Sequence, residues 1–171
     1  VSGYQHVEFG SSDTAALHVH QDIDINDEKK IVKMFSPMDL WDLVKNMNIH
    51  CNTAGLTYQD TYEIMLSSEG VYAIIIKDPN FIINGSQELF KQISEKYKKF
   101  ASNYIDESGN ISQQNLQRLF FDLLKNYNLQ GKVELFRADN IVPNPSLTPQ
   151  TLVPEWSRIN PITLDHEPCV S

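Results

Sequence analysis

Cysteine is scarce: Cys51 and Cys169 are the only two in 171 residues. Two thiols cannot define a disulfide framework, and their spacing does not fix a redox compartment. Positive charge is also in short supply. Fourteen Lys and Arg face 22 Asp and Glu, a net charge of −8 at pH 7. That balance argues against nucleic-acid backbones and anionic membrane surfaces as main partners. Long hydrophobic runs are missing as well. The longest, Val71 to Ile76, is far short of the roughly 20 apolar residues a membrane-spanning helix needs. What is left is a chain with the length and composition for one core, or one core with an appendage.

The chemistry-bearing residues concentrate near the start. His18-Val19-His20 follows the apolar Ala15-Ala16-Leu17. On a strand, residues i and i+2 point to one face, so both imidazoles can converge on one ion. Ser36-Pro37-Met38-Asp39 follows and reads as a helix start, with Ser at N-cap, Pro at N1 and Asp at N3. A carboxylate arriving on that helix would make a third ligand. Two imidazoles and a carboxylate with one position left open is the pattern of a catalytic zinc site. Each piece also has a plain structural reading. His-x-His can be a half-exposed strand, and Ser-Pro-x-Asp can be nothing more than a cap.

Together these residues resemble the JAMM (JAB, MPN-plus) metalloprotease family, whose signature is His-x-His, a spacer and Ser-x-x-Asp. The likeness spans residues 5–77 and is greatest to divergent modules at the ends of large bacterial repeat and toxin proteins. The resemblance implies zinc held by His18, His20 and Asp39, with Ser36 supporting the reaction centre. It also implies a glutamate acting as acid/base on the attacking water, and hydrolysis of a peptide or isopeptide bond. Two departures stand out. Fifteen residues, Gln21 to Phe35, separate His20 from Ser36, about twice the family's usual spacer. Gln21 also stands where a proline is common.

Glu8 is the glutamate candidate. Val7-Glu8-Phe9 reads as strand and Gly10 to Thr14 as a turn, so a hairpin centred near Asp13 sets residue 8 opposite residue 18. Opposed side chains lie about 5 Å apart on one face, and a slip of one residue turns Glu8 away. An exposed strand carboxylate is the other reading. The family's glutamate usually lies further upstream, and a start at Val1-Ser2-Gly3 suits a piece of a larger protein whose glutamate strand lies ahead of it. The acidic stretch Gln21 to Glu28 lacks the glycine and terminal glutamate of a calcium loop and reads as a solvated rim.

The remaining segments read as scaffold. A helix is expected over 37–47, a β-hairpin over 61–67 and 71–77 with a central second strand and no chemistry, and two amphipathic helices over 86–104 and 112–127. Lys132 to Ala138 reads as a short strand returning to the sheet edge. From Asn140 onward six prolines interrupt any period, giving an extended tail over the surface. His166, Glu167 and Cys169, like His50-Cys51, have the chemistry of metal ligands without convincing spacing.

The expected fold is α+β: a small mixed or antiparallel sheet, a helix after the His-x-His strand, a two-helix appendage (86–127) and a Pro-rich tail. The expected division is a JAMM-like domain over 1–138 and a packed tail over 139–171. The expected function is zinc-dependent peptide or isopeptide hydrolysis, with a protein or peptide substrate. Further partners would be the rest of a larger polypeptide or an inhibitor protein. Two alternatives stand beside it. One is a catalytically inactive scaffold of the same fold for protein association. The other is a Cys51-dependent or purely structural terminal domain.

Overall fold

A computed structural model describes residues 15–20, 32–54, 61–78, 87–107, 109–144 and 151–169. The strands are β1 (Ala15–Val19), β2 (Tyr62–Ser67), β3 (Gly70–Ile76), β4 (Val133–Asn144), β5 (Thr151–Ile159) and β6 (His166–Pro168). The helices are α1 (Pro37–Ala54), α2 (Gln87–Ala101) and α3 (Gln113–Asn126), and a 3₁₀ turn at Ser102–Tyr104 ends α2. The strands form one mixed sheet in sequence order, β1 to β6. The fold is therefore α+β, a small sheet with a helix after the histidine strand and a two-helix appendage.

Period-two alternation decides which face is buried. Met65, Tyr72, Ile74, Ile76, Val133, Leu135 and Ile159 share one face, and the register across β2, β3 and β4 aligns them in rows. Leu40, Leu43 and Val44 of α1, Phe90 and Tyr97 of α2, and Leu116, Leu119, Phe120 and Leu123 of α3 are buried with them. The i, i+3, i+4 spacing of these helical residues makes the apolar stripe that the sheet needs. Met34 and Phe35, just ahead of α1, are fully buried and belong to the same core.

One pairing positions the site. β1 lies parallel to β2, whereas all other neighbours are antiparallel. Parallel strands require a long crossover, here the stretch containing α1. That crossover brings the helix start back beside the strand it left, and ligand sites favour the carboxyl ends of such strands.

The helical hairpin follows the sequence reading closely. Ser112 caps α3 by accepting from Asn115 N at 3.2 Å, and the exit uses Asn128 and Gly131 at positive φ. β3 is central, as its apolar run suggests.

The end of the chain differs from expectation. It is extended, but it belongs to the sheet instead of running over its surface. The strand at Val133 also lies inside, between β3 and β5, and continues to Asn144 through an irregularity between Ala138 and Asn140. The expected boundary at 138/139 therefore falls within a strand. The prolines explain why no period was visible. Pro143 and Pro154 sit where β4 and β5 pair only with each other, beyond the reach of β3 and β6. Among the described residues each strand has one open edge there, so a missing N–H disrupts no second ladder. Helix α1 is longer than the 37–47 expected. No helix among the described residues is long and apolar enough to cross a membrane.

Candidate metal centre

His18 lies on β1 and His20 directly after it, both buried, while their neighbours Leu17 and Val19 are 50% and 46% exposed. Strand alternation thus turns both imidazoles towards the helices, and the backbone N–H of His20 still bonds to Leu66 O at 2.8 Å. The two Nε2 atoms stand 2.9 Å apart. From α1, Asp39 Oδ1 comes within 3.8 Å of His18 Nε2, with Asp39 only 2% exposed. Among the described residues, His18, His20 and Asp39 are the one set whose ligand atoms meet within 4.8 Å.

Each of the three side chains has a neighbour on its far side. His20 Nδ1 lies 2.7 Å from the carbonyl of Val32, which can only accept, so Nδ1 carries the hydrogen and Nε2 keeps its lone pair. Asp39 Oδ2 accepts from the backbone N–H of Ser36 at 2.5 Å, while Asp39 N donates to Ser36 Oγ at 3.4 Å. This reciprocal pair is a capping box, and it leaves Oδ1 directed at the histidines. Ser36-x-x-Asp39 is therefore both a helix start and part of the cluster. In the structure Ser36 positions the Asp39 carboxylate with its amide, while its hydroxyl caps the Asp39 backbone N–H. Phe35, whose carbonyl accepts from Tyr97 Oη at 3.1 Å, packs edge-on against the His18 ring and steadies this corner.

Glu63 provides the third support. Its Oε1 lies 3.0 Å from His18 Nδ1, and the pair is 2% and 6% exposed. The contact is close in distance, but His18 Nδ1 makes no regular hydrogen bond among the described residues. The hairpin carrying Glu63, expected to be scaffold alone, brings this carboxylate beside His18. A signal existed in the sequence: Glu63 and Met65 share a face by alternation, so a carboxylate stood at a core position of the clearest hairpin.

The electrostatics follow from burial. Removal from water pushes the Glu63 carboxyl up to about 8; contact with His18 pulls it back and the charge of Asp39 adds to the rise. For His18, burial acts downward, but the Glu63 contact and the charges of Asp39, Glu63 and Asp42 outweigh it and hold the ring above its ordinary value. For His20, burial and the neighbouring His18 outweigh the pull of Asp39 and Val32, and the ring is held low.

The three side chains form a group that could hold a metal ion. Bonds of 2.0–2.2 Å at tetrahedral angles place donor atoms roughly 3.3 Å apart. His18 Nε2 stands 2.9 Å from His20 and 3.8 Å from Asp39, and the three ligand atoms all lie within 4.8 Å of one another. Second-side contacts that fix imidazole orientation are the usual company of metal-binding histidines. At 3.8 Å, His18 Nε2 and Asp39 Oδ1 are close enough for one ion to reach both motifs.

Other candidates fall elsewhere. Glu8 and the acidic stretch 21–28 lie outside the described residues, as do the side chains of His50 and Cys51. Cys169 is a free, exposed thiol. His166 Nδ1 meets Asp139 Oδ1 at 2.6 Å and Glu167 pairs with Arg158, so these residues do not gather as a ligand set. No family model, curated protein or solved structure matches this chain, and the site is read from its own residues.

Proposed function

We propose that this protein is a zinc-dependent hydrolase of peptide or isopeptide bonds, with His18, His20 and Asp39 as ligands. One observation carries the reading. Three ligand side chains from two elements converge with one donor each, while the second polar atom of each is engaged by Glu63, Val32 O or Ser36 N. Such a set gathers three buried donor atoms at one point, where the two imidazoles share a single Nε2···Nε2 hydrogen bond that an ion would replace. Three protein ligands leave a coordination position open for a reactant. Zinc in such a site supplies Lewis-acid activation of water and of a carbonyl. Asp39 and the histidines hold the ion, Ser36 orients Asp39, and Glu8 is the acid/base in this reading. The resemblance to the JAMM pattern points to the same chemistry and to a protein or peptide substrate.

The purified chain, refolded with zinc and desalted, should retain about one ion by elemental analysis, and His18→Ala and Asp39→Ala should each lose most of it. Turnover of fluorogenic peptides and isopeptides should disappear with a chelator and return with zinc. A wild type that stays metal-free after refolding would overturn the metalloenzyme reading. A second reading, a JAMM-like scaffold that associates with other proteins without turnover, is favoured by the place of Glu63. It contacts the Nδ1 edge of His18, not the Nε2 edge that faces the ligands, so it is not the acid/base. Zinc retained without hydrolysis of any substrate would support the scaffold.

A further inference from the structure

Glu63 occupies a position that the fold by itself does not favour. On β2 it stands directly opposite Ala16 and one pleat from His18, which is opposite Met65. The inward neighbours in β2 and β3 are Met65, Tyr72, Ile74 and Ile76, nearly all apolar surface and fully buried. A carboxyl group set among them is desolvated, and its Oε2 has no hydrogen-bond partner among the described residues. Buried carboxyls that are incompletely paired destabilise a core relative to an apolar side chain of similar size. Packing therefore gives no reason for a glutamate here.

We propose that Glu63 is a positioning residue of the metal centre, retained at the expense of core stability. The inference rests on the metal-binding reading above and adds a residue to it. With Oε1 3.0 Å from His18 Nδ1, the carboxylate would favour a hydrogen on Nδ1 once an ion replaces the Nε2···Nε2 hydrogen bond between the two rings, leaving Nε2 as the ligand atom. Ala16 makes the approach feasible. Its methyl is the smallest side chain on that face of β1, so the Glu63 chain can lie across it and reach the ring at position 18. His20 receives the same service from Val32 O and Asp39 from Ser36 N, so Glu63 completes a shell in which every ligand is oriented from outside. Because the two ring nitrogens lie on opposite edges of the imidazole, Glu63 acts through His18 and touches no reacting atom.

The test measures two properties that a merely structural role would move together. Zinc affinity, by chelator competition, and the melting temperature of the metal-free protein are compared for wild type, Glu63→Gln, Glu63→Leu and Glu63→Met, with His18→Ala as reference. Glu63→Gln should bind zinc much like wild type, since its amide oxygen stands where Oε1 does and can accept from Nδ1. The apolar variants should bind roughly 10–100-fold more weakly while melting no lower than wild type without metal. Two apolar replacements of different shape guard against one that packs badly. Zinc-loaded wild type should also show His18 protonated at Nδ1 in long-range ¹H–¹⁵N spectra. Wild-type affinity in the apolar variants, or a hydrogen on Nε2, would overturn the proposal while leaving the metal centre intact. Affinity and melting temperature falling in step in both apolar variants would overturn it too, by making Glu63 structural. Absence of zinc binding in wild type would instead remove the metal centre and Glu63's role with it.

Discussion

Glu63 should make the metal-free protein lose stability as pH rises, and Glu63→Gln should remove that loss. The carboxyl is raised from an ordinary 4.5 to about 8, chiefly by burial. A group whose folded pKa lies above its unfolded value binds more protons in the folded state. Its stabilising contribution is complete below about pH 4.5 and disappears as pH climbs through 8. The window spans 8 minus 4.5, or 3.5 pH units. At about 1.4 kcal/mol per unit the ceiling is roughly 5 kcal/mol, if Glu63 titrated alone. That is a large share of the 5–15 kcal/mol typical of a domain. His18, also held above its ordinary value, adds loss in the same direction through its own titration. The difference between wild type and Glu63→Gln isolates the glutamate, because an amide of the same shape cannot ionise. Urea denaturation of chelator-treated protein at half-unit steps from pH 5 to 9 is the assay. Wild type should decline with a limiting slope near 1.4 kcal/mol per pH unit, and the variant should overtake it by pH 8. Parallel curves for the two proteins would refute the placement of this carboxyl in a water-free site.

Three further outcomes follow from the same contacts. Asp39→Asn keeps a cap acceptor for Ser36 N and should lose zinc with little change in metal-free melting, whereas Asp39→Ala should lose zinc and about 1 kcal/mol of helix-start stability in denaturant titrations. Glu8→Gln, on the proposed acid/base role, should keep zinc and fold yet lower turnover by about 10²–10⁴-fold, and unchanged kcat/KM on a cleaved substrate would take the role from Glu8. Ending the chain at residue 144 removes β5 and β6 and uncovers the inner edge of β4; burial of Ile159 alone is worth about 1.5–3 kcal/mol, so thermal unfolding followed by circular dichroism should broaden or vanish, and an unaltered melt would return this segment to the status of a surface tail.

The sequence by itself determined whatever depends on local period and local hydrogen bonding. Alternation put His18 and His20 on one face, and Ser36-Pro37-x-Asp39 specified a helix start whose cap is now seen atom by atom. The β2–β3 hairpin, α2 and α3 were legible for the same reason: each is an apolar period bounded by turn or cap residues. Tertiary structure alone decided the rest. Asp39 reaches His18 because β1 and β2 pair in parallel, which forces the chain to cross back over the strand; neither motif encodes the pairing of the other. Glu63 reaches His18 from a different strand, through a register that periodicity cannot give. The strands after Asn140 carry prolines that erase the local signal, and they exist as strands because β4 offers an edge to pair with. Local chemistry fixes which atoms can act, and long-range pairing fixes which of them meet.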